Sequence, residues 1–194
     1  MSGILNLQKN DILNLTKKDP SLDNIQLGAG WDVAKKGFFS FGQKDFDLDL
    51  VALLLDSNSR LISKDNLIYY GNMKQQGITL HGDNRTGAGE GDDEKISVSL
   101  SRLSPSCSKV VFAITIYDAI SRKQSFNQVK NAYIRLINED ERGKEICRFN
   151  LSEGDDNKTS LIFAELYREN GSWQFKAIGD LVSLDIKGLV QKFI

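Results

Sequence analysis

Apolar residues in this chain recur at every second position in short runs, the spacing that puts them on one face of an extended strand. Ile96, Val98 and Leu100 alternate with Ser97, Ser99 and Ser101. Lys109 to Tyr117 is the strongest strand of this kind, and Ile25 to Leu27, Leu61-Ile62, Asn66 to Tyr70, Ile78 to Leu80 and Ala132 to Ile137 are shorter ones. Ile4 to Leu7 and Ile12 to Leu15 read as an opening hairpin around Lys9-Asn10. Glu145 to Asn150 pairs back across the polar turn 138–143, and Leu161 to Tyr167 with Trp173 to Ala177 makes a last hairpin around Glu169-Asn170-Gly171-Ser172. Val51 to Leu55 is apolar on both faces and reads as a buried central strand. Residues 34–44 read as a loop, Ser125 to Lys130 as a helical turn, and Leu184 to Phe193 has helical spacing. Many short strands with little helix predict a β-sandwich of two antiparallel sheets with short helical turns and a C-terminal helix.

A chain of 194 residues with 40% hydrophobic content can bury one full core, and with two prolines and no linker it reads as a single domain over 1–194. Lys and Arg number 25 against 26 Asp and Glu, for a net charge of -1, so no basic field draws in nucleic acid. The first ten residues lack the pattern of a signal peptide, and the longest apolar runs, Leu50 to Leu55 and Val110 to Ile114, are too short to span a bilayer. A cytoplasmic protein is expected. Cys107 and Cys147 form no Cys-x-x-Cys pair and read as buried free thiols.

The local charge is concentrated in Asp83-Asn84-Arg85-Thr86-Gly87-Ala88-Gly89-Glu90-Gly91-Asp92-Asp93-Glu94, with five carboxylates and three glycines in twelve positions. Such a loop repels itself unless a cation or water separates the charges. Hard divalent ions take oxygen ligands, six to eight for Ca²⁺, which makes calcium the expected cation. An EF-hand does not fit, because Arg85 stands third, Gly87 fifth and Ala88 at the sixth position where that loop needs Gly. A phosphate cradle does not fit either: the glycines run G-x-G-x-G and no Lys-Ser/Thr follows. The rival reading is a solvated hairpin tip.

A second acidic cluster, Asp45-Phe46-Asp47-Leu48-Asp49-Leu50, places three aspartates on one face of a strand and three apolar residues on the other. Asp47-Leu48-Asp49-Leu50-Val51 matches the signature of haloacid-dehalogenase-type phosphotransferases, but here the aspartates precede the apolar strand instead of ending it, and the α/β alternation is missing. Ser152 to Asn157 echoes Gly-Asp-Asp without an acidic strand beside it and is left out of the site. His81, the one histidine, sits at a strand end with no nucleophile motif around any serine. The aromatics alternate with aliphatics as core, without interleaved basic residues.

Taken together, Gly30-Trp31-Asp32, Asp45 to Asp49, Gly82 to Gly87 with Gly89 to Glu94, Ile116-Tyr117-Asp118-Ala119, Ser125 to Val129 with Asn131-Ala132, and Glu165 to Arg168 resemble the TerD family of bacterial tellurite-resistance and general-stress proteins. The likeness runs from the opening segment to the C-terminal helix. It implies a β-sandwich that binds Ca²⁺ at two neighbouring sites, in a cytoplasmic protein without enzymatic activity, with other stress and tellurite-resistance proteins as partners. The ligand set it implies takes charged oxygens from Asp47, Asp49, Asp83, Asp92, Asp93 and Glu94, an amide oxygen from Asn84, and carbonyls or a hydroxyl from Thr86, Gly87 and Gly89. Asp32, Asp45, Glu90 and Asp118 form an outer set that serves either the metal or the surrounding hydrogen bonds. An alternative role is a calcium-bridged module for an anionic ligand, a phospholipid head group or a nucleotide, with peripheral membrane contact but no span. The sequence shows no exposed apolar tip for insertion. With no thiol pair or cofactor motif to reduce tellurite, any resistance would be indirect.

Overall fold

A computed structural model of the chain describes residues 4–33, 47–81, 91–150 and 157–194. In chain order the strands are β1 (Leu5–Asn6), β2 (Ile12–Asn14), β3 (Asn24–Val33), β4 (Leu48–Leu55), β5 (Leu67–Ile68), β6 (Lys74–Gln75), β7 (Ile78–His81), β8 (Glu94–Ser99), β9 (Lys109–Ile116), β10 (Val129–Asn138), β11 (Lys144–Asn150), β12 (Ser160–Glu169) and β13 (Ser172–Val182). Among the described residues three short α-helices join them: α1 (Leu15–Lys18), α2 (Ala119–Arg122) and α3 (Ile186–Gln191). Among the described residues the strands form two sheets, one in the order β1-β11-β10-β3-β8-β7-β6 and the other β2-β13-β12-β9-β4-β5. The pairings are antiparallel except that of β1 with β11.

The opening segments do not form the hairpin their sequence predicts. Leu5 pairs with Cys147 in the first sheet, whereas Ile12 pairs with Lys176 in the second. Between them the chain crosses the open end of the sandwich, with Leu7 N–H on the Arg148 carbonyl and Asn10 N–H on the Ala177 carbonyl. Leu7 and Leu13 pack against the common core from opposite sheets, and that burial outweighs what a short isolated hairpin could retain.

Alternation sorts the side chains as the sequence predicts. Ile25, Leu27, Ala29 and Trp31 of β3, with Ile96 and Val98 of β8, face Leu48, Leu50, Ala52 and Leu54 of β4 and Val110, Phe112, Ile114 and Ile116 of β9 in one core. Phe112 stacks on Phe163 of β12, ring centroids 6.0 Å apart. Each leucine, isoleucine, valine or phenylalanine among them contributes roughly 1.5–3 kcal/mol on leaving water. The unbroken apolar run in β4 has a second cause: Val51, Leu53 and Leu55 face outward into a smaller cluster with Ile186 and Val190 of α3 and Phe193. Asp185 starts α3 by accepting the Gly188 N–H at 2.7 Å. Asn170 and Gly171, both at positive φ (48° and 77°), link β12 to β13 by the turn that matches strand twist.

Candidate metal centre

Gly91 to Glu94 lead into β8, and each of the three acids meets a different partner. Asp92 lies on the outer face of the first sheet, where both its oxygens accept from Arg135 of β10, from Nε at 2.7 Å and from Nη2 at 3.0 Å. The Tyr133 hydroxyl, two residues back on the same face, donates to the Gly91 carbonyl at 3.0 Å. The Asp92 side chain is fully buried in this seat. Two glycines of β3 make the seat possible: a Cβ on Gly28 would stand 2.1 Å from Asp92 Oδ2, and one on Gly30 would stand 2.5 Å from the Tyr133 ring. The space that the two glycines leave open is therefore filled by side chains packed over the strand.

Asp93, 8% exposed, bonds β3 twice: its N–H donates to the Ala29 carbonyl at 2.8 Å, and its Oδ2 accepts the Trp31 N–H at 3.0 Å. Glu94, 3% exposed, shares the inward parity of Ile96 and Val98, and its Oε2 accepts the Leu50 N–H at 3.2 Å. Leu50 lies in the part of β4 that β5 does not reach, since β5 pairs only with Ala52 and Leu53. A carboxylate thus takes the place of a neighbouring strand and ties the two sheets together at this end.

Asp47 and Asp49 arrive at the same end of the sandwich by a different route. Leu48 and Leu50 belong to the inter-sheet core, so Asp49 alternates onto the outer face of the second sheet, where it is 5% exposed. Asp47 Oδ2 stands 3.7 Å from Nη1 of Arg122, which lies over the Tyr117 ring at 4.8 Å. Tyr70 packs edge-on against Tyr117, and its hydroxyl pKa is pushed up first by burial and then by the charge of Asp49. The aspartates open β4 rather than closing it, which removes the phosphotransferase geometry.

The electrostatics follow these contacts. The Arg135 guanidinium is held above its ordinary pKa chiefly by its hydrogen bond to Asp92, and burial followed by the Asp92 charge raises the Tyr133 phenol. Arg135 also reaches Glu145 at 3.2 Å, and Glu145 binds Arg148, which lies over the Tyr133 ring at 4.4 Å. Burial pushes the Cys107 thiol up to about 11 and the Cys147 thiol up to about 12, as suits inert core residues.

Of the residues nominated from sequence, Asp83, Asn84, Thr86, Gly87, Gly89, Glu90 and Asp45 lie outside the described residues. Asp92 serves an ion pair that commits both oxygens, a partner its sequence neighbourhood does not reveal. Asp32 accepts from Asn131 Nδ2 at 2.7 Å, and Asp118 is an exposed turn residue at φ 53° before α2. His81 bonds the Ser97 hydroxyl at 2.7 Å. Sequence reasoning passed over Arg135 and Tyr133, whose same-face spacing on β10 was the available signal. Among the described residues no three His, Cys, Asp or Glu side chains are grouped to hold an ion by themselves. The described donors are nevertheless all hard oxygens, Asp93 and Glu94 at the sandwich mouth and Asp47 and Asp49 across β4, and that chemistry fits a divalent cation completed by further oxygens. A cavity of about 770 Å³ opens beside Asp93, with Trp31, Phe126, Lys130, Tyr133 and Arg148 in its wall.

Two mostly antiparallel sheets packed face to face, with short helices between the strands, define the molecule as a β-sandwich protein. The particular family follows from comparison. The TerD domain model matches residues 4–193, and the chain belongs to the TerD domain family. It is 41% identical over 177 residues to the tellurium resistance protein TerD of Serratia marcescens, covering 90% of this chain and 89% of that one. Over the same length and shares it is 43% identical to general stress protein 16U of Bacillus subtilis. A crystal structure of a TerD homologue from Streptomyces coelicolor has the same fold, with a TM-score of 0.65 at 20% identity, covering 86% of this chain and 94% of that one. The family is one of stress and resistance proteins. Among the described residues no helix is long and apolar enough to cross a membrane.

Proposed function

We propose that the chain is a calcium-binding, non-enzymatic stress-response and tellurite-resistance protein of the cytoplasm, acting with other proteins of that response. The observation that carries this reading is the burial of Asp93 and Glu94 at the mouth of the sandwich, with Glu94 reaching the backbone next to Asp49. Asp93, Glu94, Asp47 and Asp49 would hold calcium together with Asp83, Asn84, Thr86, Gly87 and Gly89, an oxygen inventory sufficient for two ions when water completes each shell. Bound calcium would supply the positive charge that lets this acidic end stay compact. At free calcium a hundredfold above the dissociation constant, mass action would add about 2.7 kcal/mol to stability. Calorimetric titration of chelator-stripped protein with Ca²⁺ and with Mg²⁺ tests it: tight calcium uptake that Asp93→Asn with Glu94→Gln abolishes is expected, and no heat or melting shift with either ion refutes it.

The cavity favours a second reading, in which calcium bridges to an anionic ligand. Asp93 shares its wall with Lys9, Lys130 and Arg148. An exposed apolar tip that the sequence did not reveal lies on α2, where Ile120 is 87% and neighbouring Tyr117 41% exposed. Sedimentation with phosphatidylserine and phosphatidylcholine vesicles, with and without Ca²⁺, separates the readings: calcium-dependent capture by the anionic vesicles alone supports the bridge.

A further inference from the structure

The three acids 92–94 are adjacent in sequence, yet the first is spent on an ion pair far from the other two's partners. Asp92 is buried under Arg135 and Tyr133 against a strand face that has no Cβ at Gly28. Gly91, at φ 112°, turns the chain into this seat, and the Tyr133 hydroxyl holds its carbonyl. From Asp92 onward the chain has little freedom: Asp93 N–H must meet Ala29, and Glu94 becomes the first residue of β8 opposite Ala29. A bidentate guanidinium pairing fixes direction as well as distance. Arg135 is itself braced from behind by Glu145, which Arg148 holds in turn.

We propose that Arg135 is a positioning residue, which by seating Asp92 aims the Asp93 and Glu94 carboxylates at the sandwich mouth before any ion arrives. The inference rests on the calcium reading for its purpose, though not for its test. A guanidinium on the outer face of the sheet sets the geometry of carboxylates it does not touch, and it offsets the Asp92 charge without using the ion.

The test reads the apoprotein. In excess chelator, amide hydrogen exchange is followed at Trp31 and Leu50, whose N–H groups are bonded by Asp93 and Glu94, and at Phe112 in the core. Arg135→Met should speed exchange at Trp31 and Leu50 at least tenfold more than at Phe112, whose exchange reports the global loss of stability, and Gly28→Ala, which fills the Asp92 seat while keeping Arg135, should reproduce the pattern. Unchanged exchange at Trp31 and Leu50 in both variants overturns the proposal. So does an equal acceleration at all three amides, which would make the pair a general stabiliser only. Calcium affinity measured on the same variants should fall at least tenfold. If the wild type takes up no calcium, the calcium reading fails while the exchange result still decides the role of Arg135.

Discussion

Two acidic stretches of this protein look alike in sequence and differ in how they are held. At 92–94 each carboxylate has a directional partner on another strand: Arg135 for Asp92, the Trp31 N–H for Asp93 and the Leu50 N–H for Glu94. At 47–49 the described contacts are of another kind, with Arg122 at 3.7 Å from Asp47 and the tyrosine pair Tyr70 and Tyr117 alongside. The difference teaches that crowded carboxylates are not equivalent donors. A carboxylate gripped on both oxygens by a guanidinium fork has its direction fixed by that fork, whereas Asp93 and Glu94 each accept a backbone N–H from another strand.

The sharpest way to break this comparison is to remove one cation from each stretch. Arg135→Leu leaves the fully buried Asp92 carboxylate uncompensated and should cost about 3–5 kcal/mol in urea unfolding, more than Arg122→Leu, whose guanidinium stands 3.7 Å from Asp47. Equal losses would erase the distinction. Gly28→Ala should cost roughly 1–3 kcal/mol by overpacking Asp92. Combined with Asp92→Ala, it should cost clearly less than the two single losses added, because the clash has been removed. On calcium titration Glu94→Gln should weaken uptake at least tenfold, about 1.4 kcal/mol, with Asp92→Asn matching it only through lost positioning, which amide exchange would reveal.

The smallest effect concerns pH. Hydrogen bonds from Arg148, and then from Arg135, hold the Glu145 carboxyl below its ordinary 4.5. The folded protein therefore binds fewer protons than the unfolded chain. The stabilisation from Glu145 is complete above its ordinary pKa and is lost as pH falls through the lower folded value. Between about pH 5 and pH 3 the wild-type urea midpoint should drop more steeply than that of Glu145→Gln, by an amount worth less than about 1 kcal/mol.

Much of the sandwich was legible because alternation is a local property. The serines of 97–101 and the apolar residues between them announce β8, and the doubly apolar run Val51 to Leu55 announces a strand covered on both faces, here by α3. The opening hairpin was misread for the opposite reason. Two short strands with a turn between them pair locally only when nothing better is offered, and here both sheets offered an edge. The acid loop was found by its charge, but the separate fates of Asp92, Asp93 and Glu94 depend on residues between 43 and 62 positions away, at Arg135, Trp31 and Leu50.

The sequence by itself determined most of the strands, the core between the sheets and the acidic character of residues 47–49 and 92–94, because period, turn chemistry and charge density are written in neighbouring residues. Only the tertiary structure decided which sheet each opening strand joins, which acid pairs with Arg135 and which acids remain at the sandwich mouth. Those outcomes rest on contacts between strands remote in the chain, where a glycine's missing Cβ or a guanidinium two strands away sets what a carboxylate can do.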